Sequence, residues 1–141
     1  MNNISFSTSF DNGPASYDEE RFRVLCDNVP GAIYAYCFYP DDTSGFIYLS
    51  PAIEKMFGIP VQQFVDSFDH IVSEDLDRLL SANQHSQQTN EPFYFEGRLR
   101  TPDGHIKWHS ASSLFSYQTQ DGCRVFTGII LDISDRKSSR K

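Results

Sequence analysis

Four histidines and three cysteines carry most of the chemical range of this 141-residue chain. His105 and His109 share one face of one predicted strand. At about 3.3 Å per residue they stand roughly 13 Å apart, too far to hold one metal ion. His70 stands alone ahead of a helix, and His85 lies in a polar run. All four read as surface or capping histidines. Cys26, Cys37 and Cys123 are odd in number and widely spaced, with no Cys-x-x-Cys pair, so neither a zinc ribbon nor a thioredoxin-like motif is encoded. Cys37 and Cys123 fall on predicted strands and read as small buried hydrophobes. No Ser-His-Asp, Cys-His or paired-carboxylate set is evident, so no catalytic or metal residue is assigned. Rings are the remaining candidates. Phe57, Phe64, Phe93, Phe95 and Trp108, with Leu76, Leu80 and Ile129, could wall a ligand pocket or equally form a solid aromatic core.

The composition narrows the classes. Twelve Phe and seven Tyr make the core aromatic-heavy. A net charge of −7 argues against nucleic acid, because no basic face releases counterions. The longest apolar run, residues 32–39, is far short of the roughly 20 residues that cross a bilayer. No secretory signal opens the chain, and the cysteine usage fits a reducing, cytoplasmic compartment. Residues 1–17 read as a disordered lead-in, 18–137 as one domain, and 138–141 as the start of a connector.

The elements that must position these side chains follow from pattern. Phe22, Leu25, Cys26 and Val29 repeat at helical spacing after Asp18, and Pro30-Gly31 ends that helix. Residues 32–39 form a strand apolar on both faces, and residues 46–49 return after a turn cluster. Three short helices follow, begun by Ser50-Pro51, Pro60 and Ser73, the third fraying into the polar residues 84–90. Residues 93–100 alternate as a half-buried strand. Thr101-Pro102-Asp103-Gly104 turns into a strand on which Ile106 and Trp108 face one way and His105, Lys107 and His109 the other. Residues 123–131 are again largely apolar on both faces. Two hairpin blocks around a helical middle predict an antiparallel α+β domain, with the two doubly apolar strands central and adjacent.

The joints between these elements resemble those of PAS domains of the bacterial signalling type. The likeness rests on Asn28-Val29-Pro30-Gly31-Ala32, on Tyr48-Leu49-Ser50-Pro51-Ala52 with Met56-Phe57-Gly58, and on Ile71-Val72-Ser73-Glu74-Asp75. It continues through Asp103-Gly104-His105-Ile106-Lys107-Trp108 and ends at Leu131-Asp132-Ile133-Ser134-Asp135-Arg136-Lys137, where a strand runs into a helix start. The resemblance implies five strands in the order 2-1-5-4-3, short helices on one face enclosing a small cavity, and an N-terminal flanking helix. It also implies that Asp132, Ile133 and Ser134 form a junction passing the state of the last strand to a connector helix.

Some PAS sensors hold haem through a helical His in the region of His85. That residue lies about 180° from Leu76 around its helix and should point to water. Flavin photosensors of the family use Asn-Cys-Arg-Phe in the helical middle, and no Cys lies between residues 50 and 90. The cofactor therefore stays unknown, with a non-covalent flavin or other small molecule left open. Because the helices cover only one face of the central strands, the other needs the helix before Pro30, a second copy, or both. A homodimer with Phe22, Leu25, Cys26 and Val29 at its interface is expected. The resemblance implies a sensory input domain covalently linked to an output domain such as a histidine kinase or diguanylate cyclase. The alternatives are a ligand-free dimerisation and docking module and a small enzyme.

Overall fold

The computed structural model describes residues 29–138. The expected helix after Asp18, with Phe22, Leu25 and Cys26, lies outside the described residues; Val29 is half-buried just ahead of the first strand. Nine elements follow: β1 (Ala32–Phe38), β2 (Ser44–Leu49), α1 (Ala52–Phe57), α2 (Val61–Asp66), α3 (Ser73–Thr89), β3 (Phe93–Arg100), β4 (Ile106–Gln118), β5 (Arg124–Asp132) and α4 (Ser134–Ser138). The five strands make one antiparallel sheet in the order β2-β1-β5-β4-β3. As expected, the two doubly apolar strands lie side by side in its middle, paired from Ala32↔Ile130 to Phe38↔Arg124.

Local chemistry sets the turns. At the first hairpin Asp41 Oδ1 accepts the Thr43 amide at 3.0 Å, and Asp42 takes φ 73°. The β3–β4 and β4–β5 turns share one design, Thr-x-Asp-Gly. In each, the Thr amide bonds the carbonyl four residues on, and the Gly sits at a φ of 90° or 94°, where a Cβ would be strained. The helix α1 closes on Gly58 in the left-handed conformation, and the Glu54 carboxylate then accepts the Val61 amide at the start of α2, at 2.9 Å.

The third helix corrects the expectation of a frayed end. It runs 17 residues to Thr89 and stops on Asn90 in the left-handed conformation. Polar composition did not melt it because tertiary partners take up its groups. Ser86 is buried and donates to the Glu91 carbonyl, and Arg124 on β5 donates to both the Gln87 carbonyl and Asn90 Oδ1.

At its other end α3 is tied to the sheet through Asp75. This buried carboxylate accepts the Arg98 amide at 2.8 Å, Arg98 Nε at 3.0 Å and Arg98 Nη2 at 2.9 Å. Those bonds hold the Asp75 carboxyl down to about 2, against the upward pull of burial. The core lies between the sheet's inner face and α1–α3, with Ile53, Phe57, Ile59, Leu99 and Ile130 among its buried members.

Candidate functional site

The inner face of the sheet is the odd-and-even choice that pairing forces on each strand. Tyr34, Tyr36 and Phe38 on β1 stand with Phe126 and Ile130 on β5, His109, Ala111 and Ser113 on β4, and Phe93 and Phe95 on β3. From the helical side come Phe64, Phe68, His70, Ile71, Leu79, Asn83 and Ser86. Together they line an apolar cavity of about 80 Å³. A wider cleft of about 450 Å³ adjoins it between β2, α2 and α3, and the two share Tyr36, Phe46, Phe64, Phe68 and Asn83.

Rings pack around the cavity edge to face, the arrangement their quadrupoles favour. Tyr36 meets Phe46 at 5.1 Å and 89°, and Phe38 meets Phe126 at 5.5 Å and 89°. The polar groups among them are few. Burial pushes the Tyr34 phenol upward, its hydroxyl being bonded with Ser113, and Tyr36 shares a 2.8 Å hydrogen bond with Ser44. His109 is 3% exposed and bonds the Gly97 carbonyl through Nδ1 at 3.0 Å, with its ring between Phe57 and Phe95. His70 is 6% exposed and stacks on Phe64 at 4.2 Å. Burial lowers both imidazoles to about 4, so both are neutral at pH 7.

This placement corrects the reading of His70 and His109 as surface or capping groups, since both are buried in the cavity wall. His109 faces inward with Ala111 and Ser113 of the same strand and bonds the carbonyl of its β3 partner Gly97, and His70 is placed beside Phe64 of α2 next to the strand-like bridge Ile71↔Leu99. His85 and His105 are exposed and pair with Glu91 and Asp103. Among the expected pocket residues, Phe64, Phe93 and Phe95 line the cavity. Phe57 and Leu76 pack in or against the core outside the lining, where Leu79 takes the place expected for Leu76. Leu80 is 43% exposed and borders only the outer cleft. Trp108 and Ile129 fall on the other side of the sheet, their neighbours His109 and Ile130 facing in.

Trp108 has a different occupation. Its indole lies between two cations, with Lys137 Nζ 4.6 Å and the Arg98 guanidinium 5.6 Å from the ring centre. Its amide donates to Ser134 Oγ at 2.9 Å, and its carbonyl accepts the Ile133 amide at 3.0 Å. The junction residues therefore meet on β4. Asp132 Oδ1 accepts the Ser134 amide at 3.0 Å and Oδ2 pairs with Lys107 at 3.3 Å, while Ile133 is buried. Burial raises the Asp132 carboxyl, but the bonds from Ser134 and Lys107 win and leave it below the usual range.

Glu96 on β3 completes the anchorage of α4. Its carboxylate pairs with Arg136 at 2.9 Å and Lys137 at 2.8 Å and accepts the Tyr94 hydroxyl. Lys137 first, then Tyr94, holds it down to about 2. The sequence alone does not single out Glu96, and it does not show that His70 and His109 are buried. The only advance signal for Glu96 was its place on the polar side of an alternating strand.

Cys37 and Cys123 are free thiols that touch on the outer side of the sheet. Burial, reinforced by Cys123, pushes the Cys37 thiol up to about 12, so it stays protonated. Among the described residues no group of three or more His, Cys, Asp or Glu is placed to hold a metal, and no helix is long and apolar enough to cross a membrane.

Comparison with known proteins agrees with this architecture. No curated protein matches the chain in sequence. The N-terminal domain of a diguanylate cyclase with PAS/PAC sensor from Marinobacter aquaeolei is similar with TM-score 0.61 at 19% identity, over 75% of this chain and 98% of that one. A sensory box histidine kinase/response regulator from Burkholderia thailandensis gives TM-score 0.61 at 23% identity, over 85% and 89%. The PAS domain of a Colwellia psychrerythraea protein gives 0.62 at 20%, over 83% and 98%. The family model described as PAS fold matches residues 46–130, more than half of the chain, and the chain belongs to that family.

Proposed function

We propose that this chain is a sensory input domain that reads the occupancy of its aromatic cavity and passes it to the segment after Ile133. One observation carries the reading. On β4 two consecutive residues serve the two ends of the relay: His109 lines the cavity, and Trp108 holds Ser134 and Lys137 of the connector helix. A shift of β4 that accommodates a ligand must move the anchor of α4 as well. On β5, Ile130 lines the cavity two residues before Asp132 of the junction. A ligand with different affinity for the docked and undocked forms of α4 suffices to bias the helix.

The chain holds one tryptophan, so the relay carries its own reporter. A cavity ligand should change Trp108 fluorescence and speed hydrogen exchange at the Ile133 and Lys137 amides. A cavity occupied with no change in either would refute the relay. Non-enzymatic signalling, with an output domain such as a histidine kinase or diguanylate cyclase on the same polypeptide, completes the reading by analogy with the neighbours.

A second reading, dimerisation through the sheet, rests on the outer face. Tyr94, Leu114 and Tyr117 are 56%, 61% and 52% exposed there, an apolar group that a second copy of the chain would cover. Light scattering that shows a monomer at high concentration would remove it.

A further inference from the structure

We infer that His70 is the recognition group of the cavity, its Nδ1 kept for a hydrogen bond to a compact, uncharged ligand with an apolar body. This rests on the cavity-sensing reading above and names the chemistry that such a ligand must have.

Among the described residues, His70 Nδ1 is the one buried side-chain nitrogen or oxygen without a hydrogen-bond partner. Leaving a buried polar atom unpaired is unfavourable, so such an atom calls for a partner from outside the chain. The residue is 6% exposed and its ring stacks on Phe64 at 4.2 Å, which leaves bulk water little access to it. Its neighbour His109 makes the contrast, since that Nδ1 has the Gly97 carbonyl. Both rings are cavity walls, but only His70 is left with an atom to give.

The walls set the charge of the ligand. Among the described residues no Asp, Glu, Lys or Arg lines the cavity, so an ionic ligand would lose its hydration with nothing there to replace it. The volume sets its size. About 80 Å³ is roughly half of the ~150 Å³ apolar cavity that takes benzene, so a single ring enters only if Phe64 or Phe68 moves toward the wider cleft. Those two rings also border the wider cleft, which makes them the door.

The test uses phenol and benzene as probes, one ring with and without a hydroxyl. Both are titrated into the full chain, and the ratio of their dissociation constants is compared between wild type and His70→Phe, which cancels the difference in water solubility. The preference for phenol should fall about tenfold in the variant. His70→Gln, which keeps a polar group, should retain part of it. A variant-free measurement stands beside these: in wild type with ¹⁵N-labelled histidine, the His70 Nδ1 resonance should move with phenol and stay with benzene. An unchanged ratio, or an Nδ1 resonance indifferent to phenol, overturns the role of His70 while leaving the cavity reading standing. Failure of both probes to bind wild type at millimolar concentration overturns the two together. A water held at Nδ1 that neither probe displaces also overturns it.

Discussion

Replacing Asp75 by Ala removes the tie between the start of α3 and β3. Three hydrogen bonds from Arg98 are lost, between 2.8 and 3.0 Å, together with a 3.2 Å ion pair to Arg78. Removing one partner of a fully buried ion pair costs about 3–5 kcal/mol. The Arg98 side chain is 35% exposed, so its stranded charge reaches water and the upper part of that range does not apply. The orphaned Arg98 amide and the lost charge-assisted bonds remain, together about 2–3 kcal/mol. For a domain of this size that lowers Tm by about 10 °C. Asp75→Asn keeps an acceptor for the Arg98 amide and should lose about half as much.

The pH dependence gives a second, independent reading of the same bond. The folded carboxyl titrates near 2, against roughly 3.9 when unfolded. A carboxyl depressed by folding stabilises fully above its unfolded value and loses that contribution as pH falls. The gap between wild type and Asp75→Ala should therefore be constant above about pH 5, shrink between pH 4 and 2, and level off below pH 2 at the part that a neutral acceptor keeps, the difference between Asp75→Asn and Asp75→Ala. Urea unfolding followed by far-ultraviolet circular dichroism at steps between pH 7 and 2 measures it. A variant within ~0.5 kcal/mol of wild type at pH 7 would refute the reasoning. So would a gap that persists undiminished at pH 2.

The remaining predictions concern the cavity, the sheet and the anchor. His70 and His109 fold with lowered pKa values, so the unfolded chain takes up their protons first; stability should be full above pH 6.5 and fall as pH drops toward 4, with a shallower slope in His70→Phe. Gly128→Ala would set a Cβ 1.8 Å from the Ser112 carbonyl oxygen, a backbone atom that cannot move without parting β4 from β5. A loss of more than ~3 kcal/mol or failure to fold is expected, and a variant as stable as wild type would contradict the packing. Glu96→Gln removes the ion pairs to Arg136 and Lys137 at a stability change under ~1 kcal/mol, because its carboxylate is 26% exposed. It should nevertheless speed exchange at the Lys137 amide and alter Trp108 fluorescence, and no change in either would place the hold on α4 elsewhere.

The central pair of strands was legible because greasiness on both sides of a strand is a statement about neighbours, while the full strand order came from the resemblance of the joints to PAS domains. Residues 32–39 and 123–131 had to be covered twice over, and β1 and β5 are indeed the central pair. The turns were legible from Asp-Gly, whose glycines take positive φ. The helix end at residues 84–90 was not, because Arg124, which braces it, comes from a strand more than thirty residues later.

Which side of a strand looks inward was also out of reach. An alternating pattern shows that Trp108 shares a face with Ile106, and that His109 opposes them. It names the inner face only when one side is plainly polar. On β5 the two sides were both apolar, so Ile129 and Ile130 were equivalent until pairing placed Ile130 opposite Ala32 and Ala111. On β4 a tryptophan and a histidine competed, and the indole went outward to the cations of Arg98 and Lys137. The chain's own pattern thus determined the antiparallel α+β class, the central strands and the helix start after the last strand, and the resemblance of its joints supplied the rest of the strand order. Packing across the sheet decided the cavity wall, since the direction of a side chain depends on partners far away along the chain.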